Sequence, residues 1–158
     1  MRFKLDLKAN GGDNADRRPT IINGAHSLIK HMVIKSAGKI IYDTDNLHLV
    51  TFAKNLLEYS DDYACSVAKN RLWYLDTDAT SDDTNTGLEA RRLLTAERKL
   101  VNVSIPLNRH SFFEELEGRM LPPMQLDFEI EHTPDTEVLY GALDTFRLAI
   151  DRFYLWVP

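Results

Sequence analysis

Apolar and polar residues alternate from the start of the chain, with Phe3, Leu5 and Leu7 set against Lys4, Asp6 and Lys8. A period of two puts each set on its own face, so residues 3–9 are predicted as a half-buried strand. The polar stretch NGGDNADRRP (10–19) follows as a loop. Residues 27–35 and 39–43 bracket Ser36-Ala37-Gly38, the pattern of a β-hairpin in which Gly38 can supply a positive φ. From Asn46 the period changes. Leu47, Val50, Ala53, Leu56, Leu57 and Ser60 recur at helical spacing, behind the N-cap candidates Asp43, Thr44 and Asp45. A second helical piece, capped by Ser60 or Asp61, runs on to Asn70, and the small acidic stretch DTDATSDDTNTG (76–87) reads as a flexible loop.

Strand periodicity then returns. Val101, Val103, Ile105 and Leu107 share a face, and HSFFEEL (110–116) reads as a helical turn with Ser111 as its N-cap. After Pro122-Pro123, Met124, Leu126, Phe128 and Ile130 alternate with Gln125, Asp127, Glu129 and Glu131, and TPDTEV (133–138) connects onward. In the last strand, 144–157, Phe146, Leu148 and Ile150 share a face, but the parity slips before Phe153, Leu155 and Val157. That slip predicts a β-bulge near Asp151-Arg152. The expected fold class is mainly β: one domain over 1–158, a jelly-roll β-sandwich with short helices in its long connections. Its expected core is Leu28, Val33, Ile40, Val101, Val103, Ile105, Met124, Leu126, Phe128, Ile130, Phe146, Leu148 and Ile150.

Composition narrows the function classes. Hydrophobic residues make up 44% and charged residues 27%, as in a globular domain. A net charge of −5 disfavours nucleic-acid contact as the main function, since phosphate binding needs a concentrated basic surface. The N-terminus alternates instead of forming an apolar signal core, and there is no apolar run of the length, about 18 residues, that a membrane span requires. The single Cys65 suits a reducing compartment and reads as a structural thiol.

Candidate chemistry is sparse. No nucleophile elbow, zinc-protease helix or phosphate loop occurs, so no catalytic residue and no cofactor is assigned. His26, His31, His48, His110 and His132 lack the close pairing of metal ligands. The Asp76 loop fails as an EF-hand, because Ser81 stands where the glycine belongs and Gly87 where the bidentate glutamate belongs. The sequon Asn102-Val103-Ser104 lies inside a strand. Trp73, Tyr74, Tyr154 and Trp156 are the candidate interface anchors, because Trp and Tyr dominate interface energetics. Leu56, Leu57 and Tyr59 are expected to pack the helical insert onto the sheet.

The order of short motifs adds a family resemblance. These are His26-Ser27-Leu28, Leu56-Leu57-Glu58-Tyr59, Trp73-Tyr74-Leu75-Asp76-Thr77, the Asn85-Thr86-Gly87-Leu88-Glu89-Ala90-Arg91 element, and Ile105-Pro106-Leu107 ahead of Phe112-Phe113. In that order they resemble the double jelly-roll, hexon-like major capsid proteins of Polinton (Maverick) elements and adintovirus-like viruses. The resemblance implies a non-enzymatic structural protein of the virion, or a domesticated copy in the cytoplasm or nucleus of a host cell. It also implies a truncated first jelly roll, self-associating as a capsomer, dimer or trimer, with no membrane partner. The second expectation is a jelly-roll ligand- or carbohydrate-binding module without catalysis, with its site at the loop ends near residues 73–87.

Overall fold

The computed structural model describes residues 2–10, 20–78, 84–95, 100–116, 119–140 and 147–157. Its strands are β1 (Arg2–Asn10), β2 (Thr20–Ile21), β3 (Ile29–Ser36), β4 (Lys39–Thr44), β5 (Val101–Pro106), β6 (Leu126–His132), β7 (Leu139–Tyr140) and β8 (Arg147–Trp156). The helices are α1 (Leu47–Glu58), α2 (Asp61–Cys65), α3 (Thr86–Thr95), α4 (Ser111–Glu114) and α5 (Asp135–Val138), with 3-10 turns at Ala25–Leu28, Val67–Arg71 and Leu107–Arg109.

The described strands form two three-stranded sheets, in the orders β5-β1-β8 and β4-β3-β6, and a two-stranded ribbon of β2 and β7. All pairings are antiparallel. The expected hairpin forms between β3 and β4, and its turn residues Ala37 and Gly38 both take positive φ, 48° and 76°. Two positive values in succession are what a tight hairpin turn requires. The bulge expected near Asp151 is also present: Asp6 pairs with Arg152 but Leu7 pairs with Ile150, so Asp151 is the extra residue.

The jelly-roll sandwich is not what these strands build. Helix and strand occur in comparable amounts, the sheets are open and short, and the orders β5-β1-β8 and β4-β3-β6 do not wrap into two facing Greek-key sheets. The fold is mixed α/β. Alternation identifies single strands well, but it carries no information on which strand each one will pair with. The helices were also underestimated: α3 starts inside the stretch read as an acidic loop, and residues 79–83 of that stretch lie outside the described residues.

The main core lies between the two larger sheets and the 3-10 turn at Ala25–Leu28. Leu28, Ile29, Met32, Ile34, Val103, Ile105 and Leu107 are buried there, with Leu47 of α1 and Val138 of α5. Leu126, Phe128, Ile130, Leu148 and Ile150 pack against it half-buried. Ile40 and Met124, expected in the core, are 58% and 43% exposed, and Phe146 lies outside the described residues. A smaller core holds Ala64, Ala68 and Trp73, with Phe52, Tyr59 and Tyr63 around it.

Helix caps follow local chemistry. The Ser60 hydroxyl accepts from the Tyr63 N–H at 3.3 Å and starts α2 as expected. At α1 the N-cap is Asn46, in the left-handed conformation and without a side-chain cap bond; Asp43 and Thr44 belong to β4.

Candidate functional site

The element Asn85–Arg91 forms a self-contained unit with residues 74–78. Asn85 precedes α3, and its Oδ1 accepts from the Leu88 N–H at 3.1 Å, an N-cap bond, and from the Thr77 N–H at 3.3 Å. Its Nδ2 donates to the Asp78 carbonyl at 3.0 Å. The first turn of α3 lies so close to the preceding segment that a Cβ on Gly87 would sit 2.3 Å from the Leu75 carbonyl oxygen. Only glycine fits there. One turn on, the buried Arg91 donates from Nε to the Ile21 carbonyl at 3.0 Å and from Nη2 to Asp76 Oδ1 at 3.0 Å. Burial pushes the Arg91 guanidinium below its ordinary pKa, and the Asp76 carboxylate beside it opposes that. Between this unit, β2 and α1 lies an open cleft of about 590 Å³.

Helix α1 presents an unusual face to the protein. Its buried residues are Leu47, Thr51 and Asn55, whereas Leu49, Val50, Leu56 and Leu57 are 60%, 50%, 59% and 87% exposed. The packing role expected of Leu56 and Leu57 falls to that polar inner face. Arg109 explains it: its Nη2 donates to Asn55 Oδ1 at 3.1 Å, its Nη1 to Glu58, and its guanidinium lies 5.1 Å from the Tyr59 ring. Tyr59 does pack inward, edge-on to Trp73 at 5.5 Å.

The four expected interface anchors separate into two pairs. Trp73 is 2% exposed, inside the smaller core and over Gly24, which has a φ of +90°. Tyr74 is half-buried, its backbone clamped by both ends of the Asn23 amide at 2.6 and 2.8 Å. Tyr154 and Trp156 are 44% and 37% exposed on β8.

Strand β8 is the longest strand of the fold and stands at a sheet edge among the described residues. Register with β1 sorts its residues by face. Leu148, Ile150, Phe153 and Leu155 lie opposite Ala9, Leu7, Leu5 and Phe3; Arg147, Ala149, Arg152, Tyr154 and Trp156 lie opposite Asn10, Lys8, Asp6, Lys4 and Arg2. The first face turns toward the core, where Ile150 and Phe153 line a 190 Å³ cavity with Ile130 and His132 of β6. The second turns outward. Asp135 caps one end of the edge, its Oδ1 accepting from the Leu148 N–H at 3.3 Å.

The strongly shifted titratable groups are sealed away from both regions. His26 and His110 stack edge-on at 5.3 Å inside the protein. Burial holds their pKa values down to about 3 and about 4, so both rings are neutral at pH 7. Cys65 is exposed. Among the described residues no group of three or more His, Cys, Asp or Glu side chains is placed to hold a metal ion, and no helix is long and apolar enough to cross a membrane.

Comparison with protein-family models, curated proteins and solved structures gives no match in any of the three. With the open mixed α/β sheets, that overturns the capsid resemblance. The shell-forming role falls with it, and so does the jelly-roll frame of the ligand- or carbohydrate-binding alternative. The motif Asn85–Arg91, whose order had suggested a family, has a local cause instead: a capped helix start, a close approach and a buried guanidinium.

Proposed function

We propose that this protein works by association and not by catalysis, and that its partner is a second copy of itself joined along β8. The observation that carries the reading is the self-complementarity of that edge. Two copies of RLAIDRFYLW laid antiparallel at full overlap set Ile150 opposite the second copy's Phe153, and Leu148 opposite the second copy's Leu155, whose strand takes over the Leu148 N–H from Asp135. On the outer face they set Ala149 opposite the second copy's Tyr154 and Arg147 opposite the second copy's Trp156. At the centre, Asp151 meets the second copy's Arg152. Each contact occurs twice about a two-fold axis, which closes the assembly as a dimer. Apolar meets apolar, an arginine meets an aromatic face, and opposite charges meet.

An exposed edge as long and apolar as this one is a template for another strand. Cross-strand pairs contribute about 0.2–1 kcal/mol each, which together with the ladder's hydrogen bonds corresponds to a dissociation constant on the order of micromolar. Sedimentation equilibrium over a concentration series tests the proposal. A monomer–dimer equilibrium is expected, shifted to monomer by Trp156→Lys, which opposes the second copy's Arg147. A species that stays monomeric at every concentration would refute it, as would a dimer indifferent to Trp156→Lys.

A further inference from the structure

The cavity of 190 Å³ beneath β8 is bounded by Leu28, Ile29, Ile130, His132, Ile150 and Phe153. Leu28 and Ile29 are 1% and 2% exposed and form its floor, and Phe153, 41% exposed, brings it to the surface. Five of these six side chains are hydrocarbon. The sixth is His132, which ends β6 opposite Ile29 and shares a face with Ile130. Its Nε2 is shut off from solvent, and among the described residues nothing hydrogen-bonds it. A buried polar atom left without a partner is costly, and a ligand that supplies the partner removes that cost. Burial also lowers the pKa of the ring, so His132 is neutral at pH 7.

These features select among occupants. Water needs about two to four polar partners to settle in a cavity, and this lining offers one polar side chain. An ammonium or a carboxylate would give up its hydration for one neutral nitrogen. A plain hydrocarbon would fit but leave Nε2 bare. A hydroxyl suits either tautomer of the ring, donating to a bare Nε2 or accepting from an Nε2–H. Volume sets the rest, since an apolar cavity of about 150 Å³ takes a benzene ring.

From this geometry we infer that the cavity binds a small neutral hydroxyl compound. One six-membered ring, or an alkyl group of similar bulk, lies among Ile29, Ile130 and Ile150, with its hydroxyl on His132 Nε2. The site belongs to a single chain, so the inference does not rest on pairing along β8.

The test is a titration of the full chain at pH 7, followed by amide chemical shifts, with phenol, toluene, benzoate and benzylamine as probes. Phenol is expected to bind with shifts centred on Ile29, Ile130 and His132, and the two charged probes at least about tenfold more weakly. Toluene matches phenol in bulk and separates the ring from the hydroxyl. His132→Leu keeps the apolar walls and removes the hydroxyl's partner, so the preference for phenol over toluene should fall about tenfold. In the parent, the His132 Nε2 resonance should move several-fold further with phenol than with toluene, a readout that needs no variant. No binding of phenol, shifts centred elsewhere, charged probes bound as tightly as phenol, an Nε2 resonance that moves equally with both, or a phenol preference that His132→Leu leaves unchanged would each overturn the inference.

Discussion

Reversing one charge at the centre of β8 gives the sharpest test of the dimer. In the full-overlap pairing Asp151 faces the second copy's Arg152, and the contact is repeated by symmetry. Arg152→Asp replaces both attractions by carboxylate–carboxylate oppositions. Each opposite-charge pair contributes about 0.5 kcal/mol, and a like-charge pair is unfavourable by a similar amount. The two contacts together therefore change by about 2 kcal/mol, or roughly 30-fold in the dissociation constant. Asp151→Arg does the same with two guanidinium groups. Neither variant should dimerise well alone, but an equimolar mixture of the two places opposite charges at both contacts and should restore association. So should the double variant carrying both changes in one chain. Sedimentation equilibrium at physiological salt reads each dissociation constant, and circular dichroism confirms that every variant is folded. High salt should shrink the differences, because both groups are exposed in the monomer. If the mixture stays as weak as its components, the copies do not meet at this register and the argument fails.

Other consequences follow from the packing. Asn55→Ala leaves the Arg109 Nη2 without its 3.1 Å acceptor in a side chain that is 15% exposed, and should cost about 1–3 kcal/mol by urea unfolding. Leu57→Lys, on the outward face of the same helix, should stay within about 0.5 kcal/mol of the parent, because the side chain it replaces is 87% exposed. Gly87→Ala forces a methyl to 2.3 Å from the Leu75 carbonyl, so α3 must shift; a loss of about 1–3 kcal/mol is expected in the same assay. The His26–His110 pair sets an acid limit. Both folded-state pKa values lie below the unfolded value, about 3 and about 4 against 6.5, so the stabilisation is fully present above pH 6.5 and is lost as pH falls toward 4. With two groups the slope over that window is about 2.7 kcal/mol per pH unit, and the thermal midpoint should fall accordingly. Neither histidine's proton resonances should titrate above pH 5.5 while the chain is folded; a normal titration of both would sink this account.

What the chain revealed in advance was local. The β3–β4 hairpin, the alternation of β6 and the parity slip at Asp151 are all properties of neighbouring residues, and neighbouring residues suffice to find them. The misses arose where a distant residue decides. The stripe through Val50, Leu56 and Leu57 has true helical spacing, yet it faces outward, because Arg109 needs acceptors: it draws Asn55 inward and holds the exposed Glu58 at the rim. Helix α3 was hidden because one of its inward positions is Arg91, whose charge breaks the apolar pattern and whose partner, Asp76, precedes the helix. The cleft could not be read at all, since β2, α1, the 76–78 segment and α3 each contribute a wall. Of the aromatic anchors, Trp73 and Trp156 look alike as sequence. One fills a core beside Gly24, and the other stands on an exposed edge.

The bulge at Asp151 explains why that edge can pair with itself. A two-fold axis perpendicular to a sheet preserves its faces, so in an unbroken strand a residue can stand opposite only residues of its own parity. Leu148 and Leu155 differ in parity, as do Ile150 and Phe153, and a regular strand would forbid both pairs. The extra residue brings each pair onto one face. Deleting Asp151 would also bring them onto one face, by straightening β8 against β1, but it would leave Arg152 on the axis against its own copy. The bulged residue therefore does two things: it corrects the parity, and it sets a carboxylate beside a guanidinium where two guanidinium groups would otherwise meet. The deletion variant should fold, keep its β1 pairing and dimerise about tenfold more weakly than the parent, and adding Arg152→Gln to it should recover only about a third of that free energy, the part due to the guanidinium–guanidinium opposition. A deletion variant that dimerised as tightly as the parent would show that the central charges contribute nothing, and that the apolar halves of β8 alone select the partner.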